Sequence, residues 1–362
     1  MISPRVLLTT DVVGGVWDFS VTLAAELQAD WQVTLLALGE PSPTQCRDAA
    51  AAGAQLRVEP VKLEWMQDSG ADVAYTRQRI GHIAAEGFDV IHANQFAAAC
   101  ADTHIPIVLT LHSDVLSWRR GTLGTSVISD EWAGYTGLLR EALMRANYVV
   151  AVSRFLADEV RDLYNCDVDI DVIHNGWSCG VGADVERQPI TLMAGRVWDA
   201  AKNIPLVAEA ASGWSPGHVR VAGEHQHPET GATADVPPPL QPLGVLPRQE
   251  LEALMDQTSI YLSPARYDPF GLLPLQAAQH GCALLLSDIP SYRELWDGAA
   301  CFFKSDSAAD LRRKWRLLLE HADLRHILAG AAHARAVSSY SAERMAADYR
   351  DAYARVRLRL AA

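Results

Sequence analysis

Short runs of aliphatic and β-branched residues alternate with helical patterns along most of this chain, and the alternation stops and restarts once. In the first half, Val6 to Thr10, Val33 to Leu38, Val90 to His92, Ile107 to Leu111, Tyr148 to Val152 and Val168 to Ile173 read as strands. Between the first two, Val16, Phe19, Leu23 and Leu27 recur at helical spacing after the turn Gly14-Gly15, which makes a βαβ unit. A second series runs through Ile190 to Ala194, Val219 to Val221, Ser259 to Leu262, Ala283 to Ser287 and Cys301 to Phe303. Strands that alternate with helices form parallel sheets covered on both faces, because each crossover must return to the same edge. Two series therefore predict two doubly wound, Rossmann-like α/β domains, at 1–183 and 184–340, joined by a linker carrying Gly180, Gly182 and Pro189. The length of 362 residues suits two domains of about 100–200 residues each, with a tail to spare. That tail, Ser341 to Leu360, reads as a long helix with Ser341 as N-cap, Glu343 in the first turn and Arg355, Arg357 and Arg359 near the end. Ligands of such sheets bind at the carboxyl ends of the strands, so the expected site is a cleft between two facing domains.

Composition narrows the partners. The chain is 49% hydrophobic and 21% charged, an ordinary globular balance, with a net charge of -13 that repels phosphate polymers and argues against nucleic acid. Six cysteines at 46, 100, 166, 179, 282 and 301 form no C-x-x-C pair and read as reduced, mostly buried thiols. No signal-like segment opens the sequence, and no uncharged run approaches the about 18 apolar residues of a membrane span. The expectation is a cytoplasmic protein without membrane insertion, weak peripheral contact being left open.

Two segments carry chemistry. Tyr261 to Pro264 leads through Asp268-Pro269-Phe270-Gly271-Leu272-Leu273-Pro274 to Gln276, the pattern of a strand, a tight turn and a helix entry. Free amides at such a helix end attract anions, with Asp268 just before them and Gln276 about a turn into the helix. A plain helix entry capped by Asp268 explains the same spacing. In the second segment, Gly195-Arg196-Val197-Trp198-Asp199-Ala200-Ala201-Lys202-Asn203 follows a strand, and its two cations can converge on one diphosphate or simply serve as surface charge.

Taken in order, Gly14-Gly15-Val16-Trp17, Thr110-Leu111-His112, Ala151-Val152-Ser153, His174-Asn175-Gly176, Gly195-Arg196, Lys202-Asn203, Leu243-Gly244-Val245, Asp268 to Leu272 and Ser287-Asp288-Ile289-Pro290 resemble the retaining nucleotide-sugar glycosyltransferases of family 4, also called glycosyl transferases group 1. The resemblance covers nearly the whole chain. It implies a GT-B architecture with a sugar nucleotide held mainly by the second domain, an acceptor held mainly by the first, and a C-terminal helix, 341–362, that crosses back. It further implies that Arg196 and Lys202 hold the donor diphosphate together with the amides of Phe270, Gly271 and Leu272. The Gly14-Gly15 turn would admit the phosphates and the reacting sugar without a Cβ, and His112 would reach the sugar near its anomeric carbon. No metal and no cofactor beyond the sugar nucleotide is implied. One departure stands out: the family's two glutamates, eight positions apart, are Asp268 and Gln276 here. Without the charge of a carboxylate, Gln276 should bind a ribose hydroxyl less tightly by about 1 kcal/mol.

Other signals are weaker. Asp167, Asp169 and Asp171 contain D-x-D but alternate with Val168, Ile170 and Val172, as in a strand with one solvated face. His218, His225, His227 and Glu224 lie in or beside a Pro-rich loop rather than a zinc pattern, and the run Arg312, Arg313, Lys314 and Arg316 reads as a solvated helix face. Residues 1–165 hold 12 Arg or Lys against 20 Asp or Glu, which favours a soluble small-molecule or glycan acceptor over an anionic lipid. Trp17, Trp118, Trp132 and Tyr135 are candidates to stack on it, or else core anchors. An epimerase of the same fold and a catalytically weakened sugar-nucleotide-binding protein are the alternatives.

Overall fold

The computed structural model describes residues 3–127, 132–178, 187–214 and 218–361, with side chains through Leu358. In chain order the elements are β1 (Arg5–Asp11), α1 (Gly15–Leu27), β2 (Gln32–Leu38), α2 (Pro43–Ala51), β3 (Gln55–Glu59), α3 (Gly70–Ala84), β4 (Val90–Ala93), α4 (Phe96–Ala99), β5 (Ile107–Leu111), α5 (Val115–Leu123), α6 (Ala133–Arg145), β6 (Tyr148–Ala151), α7 (Arg154–Tyr164) and β7 (Ile170–Val172). There follow β8 (Gln188–Ala194), α8 (Ile204–Ala210), β9 (Val219–Ala222), β10 (Gln241–Gly244), α9 (Arg248–Gln257), β11 (Thr258–Ser263), α10 (Leu272–Gln279), β12 (Ala283–Ser287), α11 (Pro290–Trp296), β13 (Cys301–Phe303), α12 (Ala308–Glu320), α13 (Ala322–Ser339) and α14 (Ala342–Ala361).

The chain divides into two compact units, one of Met1–Arg120, Thr125–Gly176 and Ala342–Ala362, the other of Gly121–Gly124 and Trp177–Ser341. The anticipated boundary at 183/184, with Gly180, Gly182 and Cys179, lies outside the described residues. The first unit carries one sheet in the order β3-β2-β1-β4-β5-β6-β7, and the second a sheet in the order β10-β9-β8-β11-β12-β13. All the pairings are parallel. Each order reverses once, between β1 and β4 in the first unit and between β8 and β11 in the second. The central strands are apolar without alternation because both faces are covered: Val6, Leu7 and Leu8 of β1 and Ile260, Tyr261 and Leu262 of β11 are all buried.

Two strands are absent from the pattern-based reading, β3 and β10. Both are edge strands, where one side of the ladder is open and the apolar requirement relaxes. Their sequences, QLRVE and QPLG, are accordingly polar or broken by Pro242. The segment after His112 reads as a loop in sequence, yet Val115–Leu123 is helical. Asp114 starts it by accepting the Ser117 amide at 3.0 Å, a cap that the aromatic and glycine content of the segment obscures. Arg312 is not a solvated charge: it donates to the carbonyls of Glu209, Ala210 and Ser212 and closes the end of α8. Its neighbour Trp315 is fully buried and donates through Nε1 to Thr191 Oγ at 2.7 Å.

In the first unit, α14 buries Ala342, Met345, Ala346, Tyr349, Ala352, Tyr353 and Val356, a stripe at helical spacing that packs on α1, β4 and β5. Tyr353 OH lies 2.7 Å from His92 Nδ1, His92 Nε2 lies 2.8 Å from Thr110 Oγ, and Thr110 Oγ lies 3.0 Å from Tyr349 OH. The helix is thus hydrogen-bonded as well as packed against the sheet. Among the described residues no helix is long and apolar enough to cross a membrane.

Candidate functional site

In a doubly wound sheet the loops leaving the two strands that flank the reversal diverge to opposite faces and open a crevice at the carboxyl edge. Most of the sequence candidates fall on those loops: in the first unit Gly14 and Gly15 follow β1, whereas His112 follows β5, one strand beyond the reversal. In the second unit Arg196 and Lys202 follow β8, and Asp268 to Leu272 follow β11.

The β8 loop is held close to its neighbour. Gly195 N donates to Ala222 O at 3.0 Å, and a Cβ on Gly223, at φ +143°, would lie 1.7 Å from Gly195 O. Only glycine fits there. A single 3-10 turn, Ala200–Lys202, then ends on Asn203 in the left-handed region, a conformation asparagine tolerates. Buried Asn203 donates to the carbonyls of Pro264 and Ser305, and Arg266 N donates to Ala201 O at 2.8 Å. These bonds stitch the β8 loop to the β11 loop, and the result is an ion pair between Lys202 Nζ and Asp268 Oδ2 at 3.0 Å. Tyr292, from α11, donates to the same carboxylate oxygen at 3.1 Å, and its hydroxyl in turn accepts from Ser263 Oγ at 2.7 Å. Burial and the neighbouring Asp268 charge hold the Tyr292 phenol well above its usual range, so it acts as a fixed donor. Arg196 pairs with Asp199 at 2.8 Å and lies 5.2 Å from the Trp198 ring centre.

Gly271 caps α10 at φ +82°, and a Cβ there would approach Tyr292 Cε1 to 2.9 Å. The turn therefore needs glycine on two counts, and it leaves the first amides of α10 at the edge of the site. Phe270 is buried against Tyr340, Leu272 opens the helix, and Gln276 is 5% exposed one turn in.

In the first unit Gly14 is the N-cap of α1, directly after β1, where Asp11 Oδ1 accepts the Val13 amide at 2.9 Å. His112 follows β5. Its Nε2 lies 2.9 Å from Asn94 Oδ1, and its ring meets Phe19 edge-on at 4.6 Å between centres. Burial pushes the imidazole pKa down to about 3, so it is neutral at physiological pH. Glu64, also at this edge, is pushed up to about 7 by burial, with the Asp11 charge adding to the effect, although its carboxylate accepts the Phe96 amide at 2.8 Å. Trp17 and Tyr135 offer no open ring for stacking: both are buried, and Tyr135 OH accepts the Val115 amide. Trp118 and Trp132 are half-buried, Trp132 packing edge-on against Tyr135. Asn94, Glu64, Ser263 and Tyr292 are additions that no sequence motif singles out. Asn94 enters through its position after β4, Glu64 through its bond to the Phe96 amide, and Ser263 and Tyr292 through β11 and α11, all visible only once distant segments are placed.

A base whose folded pKa is depressed takes up its proton on unfolding, so the contribution of His112 is full above about pH 6.5 and is lost as pH falls toward 3. Relative to His112→Gln, the wild-type chain should lose about 2 kcal/mol of stability between neutral pH and about pH 5. Urea unfolding of both proteins at the two pH values measures this, and parallel losses would show that His112 titrates normally in the folded chain.

Residues 13–179 match the family Glycosyltransferase Family 4, and residues 182–335 match Glycosyl transferases group 1. The chain belongs to the group 1 glycosyltransferases. Among its relatives, a glycogen synthase of Mycobacterium tuberculosis is 27% identical over 230 residues, 56% of this chain and 52% of that protein. The chain thus spans about half the length of this curated relative. Sucrose-phosphate synthase from Thermosynechococcus elongatus has a similar structure, with a TM-score of 0.77 at 14% identity over 98% of this chain and 99% of that one. The Anabaena protein HepE in complex with UDP gives a TM-score of 0.74 at 15% identity over 97% and 100% of the two chains. The two Rossmann-like units have the GT-B fold of these structures.

Proposed function

We propose that this glycosyltransferase moves a hexose-type sugar from a nucleoside diphosphate sugar to a soluble acceptor, with retention of anomeric configuration and without a metal ion. The observation that carries the reading is the ion pair of Lys202 and Asp268, which brings a cation from the β8 loop and an acid from the β11 loop to one edge of the second sheet. Asp268 takes one of the three ammonium donors of Lys202 and leaves two for phosphate oxygens. Arg196 on the same loop and the first amides of α10 supply further donors.

Departure of the diphosphate develops negative charge on its oxygens and positive character on the sugar carbon. Preorganised cations and amides that meet the first charge lower the barrier without having to reorganise. Same-face attack by the acceptor hydroxyl then lets the departing diphosphate take the proton, so catalysis rests on positioning rather than on a protein nucleophile. Asp268 and Gln276, in place of two glutamates, would bind hydroxyls of the donor. The negative balance of residues 1–165 favours a neutral or cationic acceptor.

HepE was crystallised with UDP and with UDP-glucose, which makes UDP-glucose the first donor to try. Binding at 100 times Kd should raise stability by about 2.7 kcal/mol, read as an increase in Tm. UDP, GDP and ADP sugars tested in parallel, with release of nucleoside diphosphate as the second readout, decide the reading. A chain that neither gains thermal stability nor releases diphosphate with any of the three would overturn it.

A further inference from the structure

The hydrogen bonds around His112 have a fixed direction. Asn94 Nδ2 lies 2.8 Å from the carbonyl oxygen of Thr9, which can only accept. The opposite amide orientation would set two oxygens against each other, so Nδ2 is the donor here. It donates also to Ser20 Oγ at 3.3 Å, and that hydroxyl spends its own proton on Val16 O at 2.7 Å. The backbone N–H of Asn94 donates to Thr9 Oγ at 3.0 Å. With its nitrogens committed and Asn94 8% exposed, Oδ1 is the only side-chain atom left to meet His112, and it can only accept.

We propose that Asn94 is a positioning residue that holds the proton of His112 on Nε2, leaving Nδ1 as a hydrogen-bond acceptor for a substrate hydroxyl. No described residue bonds Nδ1. The two histidines at this edge are both neutral, since burial also holds His92 well below its usual range, and His92 faces the phenols of Tyr349 and Tyr353 rather than a charge. A neutral imidazole with an exposed lone pair accepts from a hydroxyl and repels a phosphate oxygen, which gives this edge of the first unit its ligand class. The chain of bonds runs on through Ser20 to Val16, one residue into α1 from the Gly14-Gly15 turn, so the imidazole and that turn share one frame.

The inference rests on the reading of this edge as a substrate site, but its test does not depend on turnover. In the full-length chain labelled with 15N, long-range proton–nitrogen correlation spectra report which ring nitrogen of His112 carries the proton, the signal being assigned by its loss in His112→Gln. The wild type should show the Nε2–H tautomer unchanged between about pH 5 and about pH 8. Asn94→Asp can still only accept, so it should keep the tautomer while its charge raises the His112 pKa into that window. Asn94→Leu should give a mixture of tautomers. A proton on Nδ1 in the wild type, or an Asn94→Asp chain in which His112 still does not titrate, overturns the proposal. Where the wild type releases diphosphate, Asn94→Leu should lower kcat roughly tenfold with little change in the KM of the donor. Absence of wild-type turnover would count against the proposed reaction and leave the tautomer result to decide this one.

Discussion

Replacing Lys202 by alanine is expected to lower turnover of the donor by roughly 10²–10³-fold, the usual cost of removing one preorganised group that meets developing charge. The substitution also strips Asp268 of its counter-ion. Asp268 is only partly buried, its side chain 16% exposed, and it keeps the bond from Tyr292. The stability cost should therefore fall between that of a surface pair and that of a fully buried one, about 1–3 kcal/mol. The two effects can be separated. The double variant Lys202→Ala, Asp268→Asn removes the unpaired charge and should recover most of the lost stability, yet none of the lost turnover. Release of nucleoside diphosphate, measured below the melting transition of all three proteins, gives the comparison. Wild-type turnover by a folded Lys202→Ala chain would remove Lys202 from the diphosphate site.

Ending the chain at Ser341 should unfold the first unit. Four of the side chains lost, Met345, Tyr349, Tyr353 and Val356, are almost completely buried. At about 1.5–3 kcal/mol each, their removal costs at least about 6 kcal/mol, against a total stability of about 5–15 kcal/mol for a domain. It also leaves His92 and Thr110 without their tyrosine partners in the core, a further cost of about 1–3 kcal/mol for each group left unsatisfied. The second unit ends at Ser341 and keeps its own sheet and helices. Hydrogen exchange of the truncated chain should show loss of protection across β1, β4 and β5 with protection retained in β8, β11 and β12. A truncated chain with one cooperative transition and native protection in β1 would refute the dependence.

Both predictions draw on features of different legibility. The stripe on α14 is periodic within a single helix, so its burial can be read from spacing alone. Lys202 and Asp268 are each suggested by their own local motif, one as a cation after a strand and the other at a helix entry. Their contact across 66 positions is not. It depends on Asn203 adopting a left-handed conformation and bonding the β11 loop. Asn94, Tyr292 and Glu64 carry no motif, because an asparagine after a strand or a tyrosine in a helix is ordinary until a partner from elsewhere in the chain is placed beside it. Two of the aromatic candidates, Trp17 and Tyr135, are hard to read for the same reason. An apolar ring suits a core as well as a ligand, and neighbours far along the chain put Trp17 and Tyr135 in the core.

Local periodicity and turn chemistry act within a few residues, and they sufficed for the α/β class, the two series of strands, the long C-terminal helix and the segments after β8 and β11, while the return of that helix and the place of His112 came from the family resemblance. Strand order is set by which crossovers pack, a long-range matter. That order put Asn94 beside His112 and Lys202 beside Asp268, made β3 and β10 edge strands that could afford polar sequences, and gave the histidine its neutral, oriented state, because burial and hydrogen-bond direction exist only after distant segments meet.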